Sequence, residues 1–146
     1  MTARISESMA RSIRQHGERA YPEECCGVLA GKAGSIKEVL RLVPMENRRT
    51  DDPHRYLIAP DDLRRTMATL AASGLEVLGY YHSHPDHRAV PSAYDTEHAW
   101  PWYSYIIVAV DQGRAAELTS WTLQEDRSAM IPESLEVFSE VSPLCR

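Results

Sequence analysis

The amino-acid sequence predicts an α/β domain in which helices pack on a mixed β-sheet. Two stretches, residues 5–20 and 60–72, carry apolar side chains at the three- and four-residue spacing of an amphipathic helix. Short apolar runs bounded by turn residues, such as Cys25–Ala30 and Tyr105–Val110, are typical of strands. Helices and strands in one chain of this length indicate a single α/β layer structure.

The first half of the chain is predicted to begin with a helix and a hairpin. Ile5, Met9 and Ile13 recur every four residues, which favours a helix. The Gly-Lys-Ala-Gly turn at 31–34 lies between two apolar runs and predicts a hairpin. Pro60, followed by two carboxylates, is typical of a helix start. The predicted elements are a helix over 5–20, strands over 25–30 and 36–43, a loop over 45–53, a short strand over 56–58 and a helix from Pro60 to Ala72.

The second half is predicted to hold most of the sheet. An apolar and aromatic run before His82 predicts a strand, and Pro91 followed by Ser92 indicates the start of a short helix. The run Tyr105–Val110 is apolar throughout, as in a buried central strand. The predicted elements are strands over 75–84, 105–110 and 115–123, a helix over 92–98, and an edge strand over 135–141.

Size and charge limit the classes of function. With 146 residues, the chain is long enough for one hydrophobic core, and we expect residues 1–146 to form a single domain with a loose tail from about residue 142. The net charge of −5 carries interspersed signs, so no nucleic-acid footprint is visible. No apolar run approaches the roughly 18 residues of a membrane span, and the first residues lack the apolar core of a signal peptide. We therefore expect a cytoplasmic protein without nucleic-acid or membrane partners.

A His-x-His pair marks the end of the strand predicted over 75–84. Because alternate side chains of a strand share a face, His82 and His84 can bind one metal ion. Pro85 then ends the strand, since it has no N–H to donate. Asp95 lies one turn into the helix that follows and is placed to supply a third ligand. Two imidazoles and one carboxylate form a familiar catalytic zinc set, which leaves the fourth position open for water.

A hydrolytic zinc site also needs a general base. Two carboxylates, Glu23 and Glu24, precede the first strand of the predicted hairpin, and the residues alone do not choose between them. Ser92 and Asp95 also fit a plain capping box, in which both side chains only seal the start of a helix. Each motif taken by itself therefore has a structural as well as a catalytic interpretation.

Taken together, these residues resemble the JAMM (MPN+) metalloprotease family. The family pattern is a Glu on an early strand, then His-x-His-Pro, then Pro-Ser-x-x-Asp, and the resemblance extends from about Tyr21 to about Thr122. Every position of the pattern is filled here, by Glu24, His82, His84, Pro85, Pro91, Ser92 and Asp95. The resemblance implies a curved, cytidine-deaminase-like sheet, with one Zn²⁺ held by His82, His84 and Asp95. It further implies that Glu24 is the base and that Ser92 donates to the oxyanion.

The same resemblance implies a peptide or isopeptide hydrolase. Single-domain members of the family process small ubiquitin-like sulfur-carrier proteins at a C-terminal Gly-Gly, so a carrier of this kind is the expected partner. Members also line the substrate channel with a loop at the position of residues 45–53, which makes Asn47 a candidate peptide contact. A plain connector is the alternative for this loop.

Two other functions remain open at this point. A metal-free MPN-type adaptor would use the same scaffold for protein binding alone. A zinc deaminase would need His-x-Glu and Pro-Cys-x-x-Cys motifs, which the chain lacks. The three cysteines, Cys25, Cys26 and Cys145, are predicted to be free thiols. Trp100–Trp102 is predicted to pack against the fold, with a place in the channel wall as the alternative.

Overall fold

Helices and strands account for most of the chain in the computed structural model, which describes residues 1–49, 51–52 and 55–140. In chain order they are β1 (Thr2–Ser6), α1 (Glu7–Ala20), β2 (Cys26–Ala33), β3 (Lys37–Met45), α2 (Pro60–Ala72), β4 (Glu76–Pro85), α3 (Ala93–His98), β5 (Ser104–Asp111), β6 (Arg114–Leu123) and β7 (Met130–Phe138). The α/β class predicted from the sequence is confirmed.

The strands form one curved sheet that closes into a barrel in the order β1-β3-β2-β4-β5-β6-β7. The pairs β1/β3, β1/β7 and β4/β5 are parallel, and the other neighbours are antiparallel. The mixed sheet with flanking helices is thus confirmed. The predicted edge strand is wrong in its position, because β7 begins at Met130 and pairs on both sides, with β6 and β1. Val141, the end of the predicted strand, lies outside the described residues.

Helix α1 begins later than predicted. Residues 2–6 form β1, in which Ala3 and Ile5 are buried. A run this short fits both a helical and a strand period, and pairing with β3 and β7 decides for the strand. The helix begins after Ser6, whose hydroxyl accepts a hydrogen bond from the Met9 amide at 3.2 Å. Gly17 lets α1 approach the sheet, since a Cβ there would lie 2.9 Å from Val110 Cγ2.

Strand β4 runs through the centre of the sheet, between β2 and β5. Its close approach to β5 depends on Gly79, where a Cβ would lie 1.9 Å from the carbonyl oxygen of Ser104. The parallel register then pairs His82 with Ile107 and His84 with Ala109. The C-terminal end of β4, which carries both histidines, is therefore held between two neighbouring strands.

The segment 55–59 was predicted to contain a strand over 56–58, and this is wrong. The structure shows irregular backbone there, in which the carbonyl of Leu57 accepts from the Arg48 amide and the amide of Leu57 donates to Asn47 Oδ1. A side-chain amide thus takes the place of the backbone partner that a strand would need. Thr50 and Pro53 of the predicted loop, and His54 just after it, lie outside the described residues.

None of the helices in the part of the chain that the structure describes is long and apolar enough to cross a membrane. The single-domain boundary at 1–146 stays a prediction, because the tail predicted from about residue 142, with Cys145, lies outside the described ranges.

Candidate metal centre

The two histidines of β4 meet at the end of the strand. His82 and His84 are 1% and 6% exposed, and their Nε2 atoms lie 3.2 Å apart. His84 Nδ1 lies 2.8 Å from the carbonyl oxygen of Arg88, to which it donates a hydrogen bond in the neutral tautomer that leaves a lone pair on Nε2. The loop after β4 therefore orients the second imidazole toward the first.

Helix α3 brings Asp95 to the same point. Its Oδ1 lies 3.2 Å from His82 Nε2, and its Oδ2 lies 3.0 Å from His84 Nε2. The helix also carries the capping box expected from the sequence, because Asp95 N donates to Ser92 Oγ and Ser92 N donates to Asp95 Oδ2. The structural and the metal-binding interpretations of Asp95 are thus compatible, since one side chain serves both arrangements.

The geometry of the three side chains suits a tetrahedral metal ion. One ligand atom from each of His82, His84 and Asp95 lies within 4.8 Å of the others. With zinc–nitrogen bonds of about 2.0–2.1 Å, two ligands at the tetrahedral angle lie about 3.3–3.4 Å apart. The observed distances between the two Nε2 atoms and the carboxylate oxygens are close to this value. Two imidazole nitrogens and a carboxylate facing one point are a donor set that a zinc ion fits.

Electrostatics at the centre favour an ionised Asp95. Burial alone would raise the pKa of this carboxyl, but the charge and hydrogen bond of His82, with the hydrogen bonds of His84 and of the Ser92 amide, hold the pKa well below its usual range. Burial acts in the opposite direction on His84 and lowers the pKa of its imidazole. The hydrogen bonds of His84 to Asp95 and to the Arg88 carbonyl outweigh the effect of burial, so the pKa of His84 is raised overall. Asp95 thus carries the negative charge that a bound cation would neutralise.

Glu24 lies beside this centre at the entry to β2. Its neighbour Cys25 is anchored to β4, because the Cys25 amide donates to Ser83 Oγ at 2.8 Å and the Ser83 amide donates to the Cys25 carbonyl. Ser83 stands between the two histidines, so this bond fixes Glu24 relative to them. Glu24 and Ser92 line one recess of about 440 Å³ together with His84, His87, Arg88 and Val90.

Glu24 is 4% exposed, and its Oε1 has no hydrogen-bond partner among the residues that the structure describes. Burial raises the pKa of this carboxyl to about 9, with further contributions from the charges of Asp95 and Asp52. The adjacent Glu23 is exposed. A buried carboxyl oxygen without a hydrogen-bond partner among the described residues is costly for the fold, which marks Glu24 rather than Glu23 as the functional candidate.

Asn47, predicted as a peptide contact, is engaged within the chain. Its Nδ2 donates to the carbonyls of Glu24 and Arg55 at 3.0 and 3.1 Å, and its Oδ1 accepts from the amides of Arg49 and Leu57. Both donors and the acceptor oxygen are in use. The substrate contact stays a prediction, but the structure shows that Asn47 ties the backbone of Glu24 to the segment 55–57.

A second cavity, here called the aromatic cavity, adjoins the centre through His82 and Asp95. It encloses about 290 Å³ and is lined mainly by aromatic and aliphatic side chains. The other lining residues are Tyr56, Leu57, Ile58, Leu63, Tyr80, Tyr94, His98, Trp100, Tyr105, Ile107 and Met130. The packing role predicted for Trp100 is wrong, because this side chain is 63% exposed and borders the cavity, as in the channel-wall alternative.

Tyr56 is a residue of the site that sequence reasoning missed. Its ring stacks on the His82 imidazole with centroids 4.7 Å apart. The position lies in an irregular segment whose path is set by Asn47, so neither period nor motif pointed to it. The thiols of Cys25 and Cys26 are both buried, which raises their pKa to about 11 and about 12 and keeps them protonated. They are free, as predicted for these two positions.

Comparison with known families decides the relationship of this chain. A model of the prokaryotic homologues of the JAB domain matches residues 6–124, a span that contains the candidate metal centre, Glu24 and Ser92. The chain belongs to this JAB family. The JAMM resemblance seen in the sequence is thereby confirmed.

Named relatives and solved structures agree with this placement. The JAB domain is 31% identical over 132 residues to a desampylase from Haloferax volcanii, covering 90% of this chain and 93% of the relative. It is 31% identical over 120 residues to a CysO-cysteine peptidase from Mycobacterium tuberculosis, covering 82% and 81%. A protein from Salinibacter ruber with 39% identity superposes with a TM-score of 0.73, covering 98% of this chain and 95% of that one.

A JAB1/MPN domain protein from Archaeoglobus fulgidus shares the fold, with a TM-score of 0.55 at 16% identity and coverage of 93% and 99%. Family membership, peptidase relatives and the arrangement of the centre together identify this JAB domain as a JAMM-type hydrolase.

Proposed function

We propose that this JAB domain is a zinc-dependent peptidase that cleaves after the C-terminal Gly-Gly of a small ubiquitin-like sulfur carrier. The observation that carries the chemistry is that His82 Nε2, His84 Nε2 and the two Asp95 oxygens face one point. The two Nε2 atoms lie 3.2 Å apart, and each lies 3.0–3.2 Å from one oxygen of Asp95. Zinc bound there would supply a Lewis acid and lower the pKa of water to about 7. The remaining steps fall to side chains of this chain.

Glu24 is proposed as the general base and acid. It removes a proton from the attacking water and delivers it to the leaving amine, which needs one carboxyl to be charged before attack and protonated after it. Burial favours the protonated form of Glu24, and a nearby cation favours the charged form. Proton gain and loss at neutral pH would require these two opposing effects on the pKa of Glu24 to balance closely.

Ser92 is proposed to stabilise the oxyanion. Its Oγ accepts a hydrogen bond from the Asp95 amide, so the hydroxyl hydrogen is available to another oxygen. A donor fixed in this way is already oriented when negative charge develops on the substrate carbonyl. Ser92 also lines the same recess as Glu24, which supports a role for both side chains at one substrate carbonyl.

The substrate class rests on the family and on the named relatives. One relative is a desampylase, another is a probable TtuB-protein conjugate cleaving protease, and a third is a CysO-cysteine peptidase. A Gly-Gly tail has no side chains and can enter a narrow channel in extended form. Two segments near the centre, 46–49 with 51–52 and 86–90, would hold such a tail, in the manner of an added strand.

A metal-free adaptor, the main alternative, has less support from the structure. Binding alone would not require a buried carboxyl oxygen without a hydrogen-bond partner among the described residues, and Glu24 Oε1 is such an atom.

The test uses purified protein and a ubiquitin-like carrier that ends in Gly-Gly plus one further residue. We expect about one zinc per chain by elemental analysis, and removal of the extra residue as seen by mass spectrometry. A chelator should abolish cleavage, and added zinc should restore it. An intact carrier together with free cutting of unfolded peptides would instead indicate a general peptidase.

A further inference from the structure

The aromatic cavity is larger than a Gly-Gly tail requires. It adjoins the metal centre through His82 and Asp95, and among the described residues it shares no lining residue with the recess that holds Glu24 and Ser92. Trp100, 63% exposed, forms a wall that solvent can reach. A cavity of about 290 Å³ lined mainly by rings and aliphatic groups is suited to a single large side chain.

We infer that the aromatic cavity binds a large apolar side chain of the residue that directly follows the Gly-Gly, so that this residue is the one released. The inference rests on the proposed function. Glycine cannot fill the cavity, and the nearest substrate side chain to the metal centre is then that of the leaving residue. Its amine must face Glu24 to receive the proton, but its side chain leaves the α-carbon in another direction.

Charges around the cavity favour an apolar occupant over a cationic one. The guanidinium carbon of Arg55 lies 4.7 Å from the centroid of the Tyr94 ring, and that of Arg127 lies 5.0 Å from the centroid of Trp100. These ring faces already hold cations, so a lysine or arginine side chain would meet like charge. An acidic side chain would lose its hydration among aromatic groups.

The experiment compares carriers that differ only in the residue after Gly-Gly: Phe, Leu, Gly, Asp or Lys. We expect kcat/KM for Phe and Leu to exceed the values for Gly, Asp and Lys by at least about tenfold. Binding is measured separately by calorimetry with the zinc-loaded full chain carrying Glu24→Gln. The Phe carrier should bind that variant more tightly than the Asp carrier by a similar factor.

Two substitutions alter the cavity at exposed positions. Trp100→Ala removes a wall, and Leu57→Trp reduces the volume from a side chain that is 48% exposed. Both should reduce the preference for Phe over Gly to about threefold or less. Trp102→Ala is the matched control, because Trp102 lines a different cavity beside Lys37. It should leave the preference unchanged.

The outcomes separate the two proposals. Equal cleavage of all five carriers would overturn the inference and leave the proposed function intact. Cleavage of none, with zinc bound, would overturn both. A loss of preference in Trp102→Ala equal to that in Trp100→Ala would also count against the cavity, since the effect would then be a general one on the fold.

Discussion

Ser92 and Asp95 hold each other through two reciprocal hydrogen bonds, and the Asp95 oxygen that accepts from the Ser92 amide also faces His84. Ser92 N lies 2.9 Å from Asp95 Oδ2, which is 3.0 Å from His84 Nε2, while Asp95 N lies 3.0 Å from Ser92 Oγ. The helix cap therefore fixes the orientation of the carboxylate at the candidate metal centre. Because of this coupling, a substitution at either residue affects both stability and chemistry, and a test must separate them.

Glycine at position 92 achieves this separation. Gly caps helices almost as well as Ser, whereas Ala costs about 1 kcal/mol of stability. We expect Ser92→Gly to change the melting temperature little and to lower kcat by about 10²-fold, because the oxyanion donor is lost. Ser92→Ala should show the same loss of kcat together with lower stability. Thermal unfolding and steady-state kinetics measure the two effects, and full activity in Ser92→Gly would reduce Ser92 to a capping residue.

Replacing the carboxylate itself should remove the metal. Asp95→Ala eliminates one ligand and one half of the capping box, so we expect zinc content to fall from about one per chain to a small fraction, with loss of activity. Asp95→Asn keeps an oxygen that can accept from the Ser92 amide and should preserve more of the stability than Ala does. Elemental analysis after dialysis provides the measurement. Full zinc occupancy in Asp95→Ala would show that the ligand assignment is wrong.

Glu24→Gln should lower the rate of hydrolysis and raise the stability of the metal-free protein. We expect hydrolysis to fall by about a hundredfold or more with zinc still bound, since Gln cannot carry the proton. In the metal-free protein the same substitution should stabilise the fold at neutral pH. The pKa of Glu24 in the folded state is about 9, compared with an ordinary value of 4.5. Because the pKa of Glu24 is higher in the folded than in the unfolded state, the stability that this carboxyl contributes is fully present below pH 4.5. That contribution is lost as the pH rises toward 9.

The gain of Glu24→Gln over the natural chain should therefore grow between about pH 5 and pH 8, by about 1 kcal/mol per pH unit, and vanish near pH 4.5. Chemical unfolding of the metal-free proteins across this range measures it. Glu23→Gln is the matched control, because the Glu23 side chain is exposed to solvent. A gain that is constant with pH would mean that burial of the Glu24 charge is not its cause.

The motif residues could be predicted from sequence because their chemistry depends on local spacing. His82 and His84 share a face by the two-residue period of β4, and Asp95 lies in the first turn of α3 by the capping pattern. Closure of the barrel was not predictable in this way. It depends on the pairing of β1 with β7, such as Ala3 with Leu135, between segments more than 100 residues apart.

The aromatic side of the site also depends on tertiary structure. Tyr56 reaches His82 because Asn47 bonds to the backbone of Leu57 and Glu24, a set of contacts that no periodic pattern records. Residues 56–58 have the β-propensity of a strand, but in the structure they pair with none of the described strands. The hydrogen bond from the Leu57 amide to the Asn47 side chain replaces a strand pairing, so this segment stays irregular.

A buried ion pair, Lys37 with Glu133, joins β3 to β7 where the barrel closes. Lys37 Nζ donates to Glu133 Oε2 at 3.3 Å, to Ser104 Oγ at 3.0 Å and to the Trp102 carbonyl. Glu133 Oε1 accepts from Ser104 at 2.6 Å and from Ser120 at 2.9 Å. Burial lowers the pKa of Lys37, and the charge of Glu133 opposes this. Both charges are satisfied only as long as the partner is present.

We therefore expect Lys37→Met to cost about 3–5 kcal/mol of unfolding free energy, because it leaves the Glu133 charge buried without its partner. The double variant Lys37→Met with Glu133→Leu should regain most of that loss, since two apolar groups of similar size need no pairing. Arg64→Met is the control, because it breaks the exposed pair of Arg64 with Asp61 and should cost less than about 1 kcal/mol. Urea unfolding of the three variants gives the comparison. A double variant less stable than Lys37→Met would show that the two serines and the Trp102 carbonyl, rather than the ion pair, determine the stability of this part of the barrel.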